Sequence, residues 1–459
     1  MSVAHLQISR ARCLLATCFS RRPLEAITLR ATSMRRGFLK PCSGKTPNAR
    51  TIANSARPVP IPCPLVRQLD LVPSMKTTEE AFTRALRDPG FNAAWGRIPG
   101  TEDGPHAITA GIYTVSAAGS TLLTRSCKPF KRAGGLYEIR DTHVAGRGMF
   151  ALEGFLPGSL IAHERPLLIL SVAEMSPVVA GLPVWKECPG GEHCLVEAAV
   201  AAMPEDARRL LLSLVSSRTG PSMTHNITNT NAYTIGNLDG CIGVYGAIFE
   251  DMSRVNHSCS PNAEFLWNMD TLTGDVRALR HIAPGEQITT SYVDVFSPYT
   301  SRLDTLWRSY TFRCQCPTCT LQPHQIIDDD LFRTEIYNLL DPARRPAVGL
   351  CNALHVTKTY LLKARRMERD GFYDACGWVA VARVLVEAAS VLGERGRAVR
   401  WATRAAEMTR AATGTDGGWA AVAAAPEQTL WWQRGGEVEG GTDRAVWSGP
   451  QFSVSQAAM

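Results

Sequence analysis

The sequence predicts an α+β fold, and three observations carry that reading. Short strand-like runs separated by glycine turns begin at Tyr137, a Cys314-x-Cys316-x-x-Cys319 cluster follows them, and helical stripes take over beyond residue 323. The chain has 459 residues, enough for two or three domains with cores of their own. Its 45% hydrophobic and 20% charged content is that of an ordinary globular protein. No apolar run reaches the length of about 18 residues that a membrane span needs, so no membrane partner is expected.

Residues 1–75 read as a basic, disordered leader. Arg10, Arg12, Arg21, Arg22, Arg30, Arg35, Arg36, Lys40, Lys45, Arg50, Arg57 and Arg67 face only Glu25 and Asp70 there. Most of the net charge of +7 therefore sits outside the body of the chain, which argues against direct nucleic-acid binding. The Arg-, Ser- and Ala-rich, acid-poor composition resembles a mitochondrial transit peptide, and a basic tail is the plainer alternative. No apolar segment of secretory type follows a charged start. The cysteines cluster at metal-ligand spacing, not as a disulfide framework, which fits a reducing compartment. The expected location is thus intracellular, nucleus or cytoplasm, with the mitochondrion as the option the leader opens.

Residues 76–134 are an uncertain segment. Thr77-x-x-Glu80 is a capping-box pattern for a short helix ended by Pro89-Gly90, and residues 91–134 show no period. From residue 135 to 295 a β-rich domain is expected, with strands at Gly158–Ala162 and Leu167–Leu170. A helical insertion opens at Pro204-Glu205-Asp206 and carries Ala207, Leu210, Leu211 and Leu214 on one face. Residues 296–322 form a small cysteine-bearing element. In residues 323–412 a helical domain is expected. Val381, Val384, Leu385, Ala388, Ala389 and Leu392 form one stripe, Gly393-Glu394-Arg395-Gly396 breaks it, and Ala398, Trp401, Ala402, Ala405 and Met408 resume it. Two such helices read either as a tetratricopeptide-like hairpin or as a cap on the β-rich domain. Residues 413–459 are expected to be a low-structure tail.

Several motifs occur in a fixed order. Tyr137-Glu138-Ile139-Arg140 and Ala145-Gly146-Arg147-Gly148 come first, then Glu164-Arg165-Pro166-Leu167, Asn231-Ala232-Tyr233-Thr234-Ile235 and Gly243-Val244-Tyr245-Gly246. Asn256-His257-Ser258-Cys259-Ser260-Pro261-Asn262 follows, then Gly285-Glu286-Gln287-Ile288, Ser291-Tyr292, Tyr310-Thr311-Phe312-Arg313 and the cysteine triplet. Over about Tyr137 to Cys319 this set resembles the SET-domain protein lysine methyltransferases, in their SET-and-MYND-like, fungal-type branch. Cys188, His193, Cys194 and Cys241 do not make the paired-cysteine grid of a MYND finger, so that module is expected to be absent.

The resemblance implies a SET domain over 135–295 with a knot-like active-site segment and a zinc-bearing post-SET element over 296–322. It implies transfer of a methyl group from S-adenosylmethionine (SAM) to a lysine of a protein substrate. Tyr292 matches the central catalytic tyrosine. Gly146, Arg147 and Gly148 match the turn that meets the cofactor, largely through main chain; an ordinary strand turn is the plainer reading. Asn256 and His257 match the pair that binds the cofactor, and Phe312, with Tyr310 beside it, matches its adenine-stacking aromatic. Cys259 matches the fourth zinc ligand beside Cys314, Cys316 and Cys319, in a structural, closed site. Tyr233 and Tyr245 are candidates for an aromatic lysine channel, with core packing as the alternative for each. Glu286 reads as a turn carboxylate, and Pro261 and Asn262 as structural. A peptide partner on the C-terminal helices is a further expectation. The rival from another class is a catalytically inactive SET scaffold serving as a protein-interaction module.

Overall fold

A computed structural model of the chain describes residues 92–98, 107–114, 135–142, 145–171, 194–220, 222–236, 238 and 245–433. The basic leader, the Thr77 capping box, Cys188, His193, Cys241 and residues 434–459 lie outside these. Its strands are β1 (Asn92–Arg97), β2 (Thr109–Thr114), β3 (Tyr137–Asp141), β4 (Arg147–Ala151), β5 (Leu160–Glu164) and β6 (Leu168–Ser171). They continue as β7 (Tyr233–Gly236), β8 (Tyr245–Ile248), β9 (Asn256–His257), β10 (Ala263–Asn268), β11 (Thr273–Ala278) and β12 (Gln287–Thr290). Helices α1 (Cys194–Ala201), α2 (Glu205–Leu212) and α3 (Met223–Asn231) form the insertion. After the strands come α4 (Tyr299–Tyr310), α5 (Pro323–Asn338), α6 (Ala353–Arg369), α7 (Ala375–Val391), α8 (Arg395–Thr413) and α9 (Trp419–Ala424).

Among the described residues the strands build three sheets, in the orders β1-β2-β6-β8-β7, β10-β11-β5 and β3-β4-β12-β9. The α+β class and the helical C-terminal region are therefore as expected. β1 and β2 are new. They arise in the segment that showed no period, because Ala107, Ile108, Thr109 and Ala110 are all fully buried. A strand covered on both faces leaves no alternation to read.

One core fills the space between the sheets, around Tyr233, Phe249, Phe265, Val276 and Ile288. A second, around Phe296, Phe332, Phe372, Trp378 and Leu385, belongs to the helices. The two halves meet where α8 crosses β10 and β11. At this seam Gly158 has φ +80°, and a Cβ there would lie 3.0 Å from the Glu407 carbonyl oxygen. Only glycine allows both the turn and the approach. This packing makes the helices a cap on the sheets.

The break between α7 and α8 falls at Gly393, with φ +69°, while Gly396 lies inside the first turn of α8. The tail expectation needs correction up to residue 433. Trp419 and Val422 of α9 pack against Ala402, Ala405 and Ala406 of α8, so this part of the tail is docked by apolar burial. None of the described helices is long and apolar enough to cross a membrane.

Candidate cofactor and metal site

The site is built where β9 lies parallel to β12, with Thr289 opposite Asn256 and Thr290 opposite His257. β12 in turn pairs antiparallel with β4. The β3–β4 turn, with Gly146 at φ +65°, is thus brought to the edge of the Asn-His pair. The Asn256 amide donates to the Arg147 carbonyl at 3.2 Å. A Cβ on Gly148 would sit 2.4 Å from Gln287 Nε2 and 2.9 Å from Asn256 Nδ2. Glycine here lets the Asn256 side chain lie flat against β4. The Arg147 side chain itself is exposed, and its guanidinium reaches the Ile139 carbonyl at 3.4 Å.

His257 locks the two segments together. Its Nδ1 accepts the Tyr292 backbone N–H at 2.9 Å, which puts the proton of the neutral ring on Nε2, 3.3 Å from the Cys259 sulfur. Both ring nitrogens are therefore engaged within the protein. The buried Tyr292 hydroxyl donates to the Val255 carbonyl at 2.6 Å. Its only proton is committed, so its oxygen can act toward a ligand only as an acceptor. The ring lies 5.0 Å from Tyr310 and 5.2 Å from His257, and Phe312 lies 6.0 Å from His257. Tyr310 and Phe312 flank the C-cap of α4, where Thr311 turns the chain at φ +58° and its hydroxyl donates to the Ser217 carbonyl at 2.6 Å.

Cys259, Cys314, Cys316 and Cys319 converge, with all four sulfurs within 4.8 Å of one another. The Cys259 and Cys319 sulfurs are 3.5 Å apart, far beyond a disulfide bond of about 2.05 Å. Zinc–sulfur bonds of about 2.3 Å in a tetrahedron place sulfurs about 3.8 Å apart, which this set matches. Four thiols this close cannot all ionise alone. Hydrogen bonds with Cys314 and Cys316 push Cys259 up, and contact with Cys259 pushes Cys319 up. Cys259 in turn holds Cys314 and Cys316 down. A bound dication resolves this sharing of protons, so the donor set fits a structural zinc.

Glu286 and Asn262 frame the segment from below. The Glu286 carboxylate accepts from Arg280 at 2.6 Å, Asn262 at 3.0 Å and the Ala283 N–H at 3.0 Å. Burial alone would raise its pKa, but these donors hold it below the ordinary glutamate value. It is a turn carboxylate. Asn262 bridges to the Gln287 carbonyl and the Thr289 N–H, both at 2.8 Å.

Tyr233 and Tyr245 are not gathered with these aromatics. Both are buried in the core between the sheets, where Tyr233 stacks on Phe265 at 4.3 Å and its hydroxyl donates to the Met252 carbonyl at 2.9 Å. Two supports show their roles only in the fold: Glu164, which stood in a motif string with no role attached, and Arg333, which stood in none. The buried Glu164 carboxylate accepts the backbone N–H groups of Glu250, Asp251 and Met252 at 2.8–3.1 Å, fixing the turn that leads into Asn256. Arg333, from α5, donates to the carbonyls of Cys259 at 3.3 Å and Val295 at 2.6 Å. Glu164 reaches 86 to 88 residues along the chain and Arg333 reaches 74 to Cys259 and 38 to Val295, spans that no local motif reveals.

With this geometry in view, comparison with known proteins is informative. Residues 146–293 match the SET domain family. The chain is 38% identical over 120 residues to the N-lysine methyltransferase SMYD2 of Homo sapiens, covering 26% of each chain. It is 35% identical over 105 residues to SMYD2-B of Danio rerio, covering 21% of this chain and 24% of that one. To the histone-lysine N-methyltransferase set5 of Schizosaccharomyces pombe it is 36% identical over 157 residues, covering 32% of this chain and 49% of that protein. The chain thus spans about a quarter of the length of the SMYD2 relatives it matches and about half of set5.

Proposed function

We propose, from the premise that this chain carries a SET domain at residues 146–293, that it is a SAM-dependent protein lysine N-methyltransferase. The observation that carries this reading is the lacing of Asn256, His257 and Tyr292 into one site beside the four cysteines. SAM, when bound, supplies the electrophilic methyl group. The chain's own residues bind, orient and exclude water, from which most of the rate gain of an in-line displacement comes. Main chain at Gly146–Gly148 and the Asn256 and His257 segment form the cofactor wall, with Phe312 and Tyr310 across from it. Because both nitrogens of His257 are engaged, its contact with the cofactor runs through main chain.

The Tyr292 oxygen, its proton held by Val255, is an acceptor for the incoming amine and for the methyl hydrogens. The surrounding apolar rings favour a neutral lysine amine, which alone has the lone pair for attack. Zinc in the four-cysteine cluster does no chemistry; it ties Cys259, two residues from His257, to the post-SET element. A role for Tyr233 and Tyr245 in an aromatic channel for the substrate lysine stays part of the reading, with packing in the core between the sheets as the plainer account. No observation favours the inactive scaffold.

The relatives' names specify a lysine amine, and in set5 a histone one; the shared chemistry proposed here is a lysine of a protein substrate. A peptide partner on the C-terminal helices belongs to the same proposal, supported by the exposed Leu354 and Leu362 of α6. Location in nucleus or cytoplasm, or in the mitochondrion through the leader, is tested by a fluorescent fusion with and without residues 1–75. The deciding experiment is calorimetric SAM binding to zinc-loaded protein, with Asn256→Ala as control. Binding that the substitution weakens is expected. A folded, zinc-containing protein that binds no SAM would sink the methyltransferase reading.

A further inference from the structure

One face of α5 reaches three backbone segments that border the site. Arg333 is fully buried. Its Nε donates to Asp329 at 2.7 Å, and its Nη1 donates to the carbonyls of Val295 at 2.6 Å and Cys259 at 3.3 Å. Its guanidinium lies 4.7 Å from the centre of the Phe372 ring. Asp329 also faces Arg302 of α4 at 3.6 Å. Arg302 is fully buried too, and donates to the Ser297 carbonyl at 2.6 Å. The neighbouring Asp330 carboxylate accepts the Tyr299 N–H at 2.9 Å, at the start of α4. So α5 holds the Cys259 backbone, the backbone three residues after Tyr292, and the N-terminal end of the helix whose other end carries Tyr310.

We propose that Arg333 is a positioning residue for the cofactor segment and the zinc centre, and that the helical domain is thereby part of the active site. The inference rests on the methyltransferase reading for its cofactor half and on the four-cysteine cluster for its metal half. The chemistry suits arginine alone. A planar fork can serve a carboxylate and two carbonyls at once, while a lysine ammonium is a point charge that cannot hold all three directions. Fixing the Cys259 carbonyl sets the direction of its thiolate and of His257 two residues before it. Outer groups that orient metal ligands commonly govern metal affinity about 10- to 100-fold.

The test uses the full, zinc-loaded chain. Zinc release to a chromophoric chelator and SAM affinity by calorimetry are compared for wild type, Arg333→Met, Arg333→Lys and Trp378→Phe. The last variant disturbs the same helical core, where the Trp378 indole donates to the Phe372 carbonyl at 3.1 Å, without touching Cys259. Arg333→Met is expected to release zinc about 10-fold faster and to bind SAM about 10-fold more weakly, with Arg333→Lys intermediate and Trp378→Phe near wild type in both. Equal acceleration in Trp378→Phe and Arg333→Met at matched loss of melting temperature would reduce Arg333 to a purely structural ion pair. Should Arg333→Met fail to fold, Arg333→Lys decides, and wild-type zinc release in it overturns the proposal. A wild type that holds zinc but binds no SAM defeats the methyltransferase reading, while the zinc-release comparison still judges Arg333.

Discussion

The Tyr292 hydroxyl is a single hydrogen-bond donor spent on Val255, and this defines what its loss does. Tyr292→Phe removes one buried hydrogen bond, a stability cost of about 1 kcal/mol. Cofactor affinity, set by the opposite wall, should stay within about threefold, while methyl transfer falls about 100-fold or more, the size of one lost transition-state donor or acceptor. Labelled-cofactor transfer and calorimetry on the same preparation separate the two effects. Gly148→Ala makes a different prediction. The added Cβ meets the far ends of Gln287 and Asn256, which can swing away, and the γ-methyl of the short, branched Thr142 at 2.9 Å, which has to shift, so the stability cost is about 1 to 3 kcal/mol. The Asn256 amide, however, must leave the Arg147 carbonyl. SAM affinity should therefore fall more than the melting temperature suggests. These motif residues were legible because the chemistry sits in short, contiguous strings. Arg333 was not, and Glu164 was read only as part of a motif string without its role, since a buried charge reveals its partner only once the chain is folded.

At the scale of the element, the Pro284-Gly285 turn and the cysteine cluster respond to pH in separate ways. Glu286 is held below its ordinary pKa, so it adds stability that is full above the ordinary glutamate value and is lost as pH falls through the folded value. Glu286→Gln should flatten the acid limb of a stability–pH curve and leave neutral pH nearly unchanged in slope. The metal site behaves as a proton competitor. Cys259 and Cys319 hold their protons tightly without metal, so zinc binding must expel them and affinity must drop as pH falls. A chelator titration at two pH values, with proton release measured in weakly buffered solution, checks this. A pH-independent affinity would argue against thiolate ligation. Cys-x-Cys-x-x-Cys spacing is itself a signature for three of the four cysteines that converge, and the family resemblance supplied Cys259 as the fourth. Sequence reasoning missed β1 and β2, the latter entered through Ala107, Ile108, Thr109 and Ala110, all fully buried, and α4, whose start is capped from another helix.

For the whole molecule, the seam between sheets and helices carries two acids under unusual strain. Burial pushes Glu264 of β10 up to about 8, with Asp374 adding to it. Burial also pushes Asp374, at the N-cap of α7, up to about 7; its contact with the Gly377 N–H and the charge of Arg333 oppose this, and Asp294 adds to it. Raised carboxylates bind protons more tightly folded than unfolded. The contribution of this pair to stability is therefore fully present below the unfolded carboxylate range and is lost as pH rises toward about 8. Glu264→Gln should remove much of that decline, read from urea unfolding between pH 6 and 8.5; an unchanged slope would exclude this seam as the cause. The presence of a β-rich part, a cysteine cluster and a helical C-terminal region was legible from periodicity and motif order, while a tetratricopeptide-like hairpin and a cap stayed equal readings of the helices. The packing of α8 across β10 and β11, and the docking of α9, were not, because amphipathic helices do not announce which surface they cover.

The bond from Arg333 to the Cys259 carbonyl spans 74 residues of chain, and it has a consequence in time. A ribosome adding about 5 to 20 residues per second needs about 4 to 15 s to pass from one to the other. The cysteine triplet follows Cys259 by 55 to 60 residues, and the Arg333 strut only after 74. With Arg333 positioning Cys259 as proposed, zinc captured before α5 emerges is held about 10-fold less firmly, so the site matures late in synthesis, and a chain cut short after Cys319 would carry every motif residue without its strut.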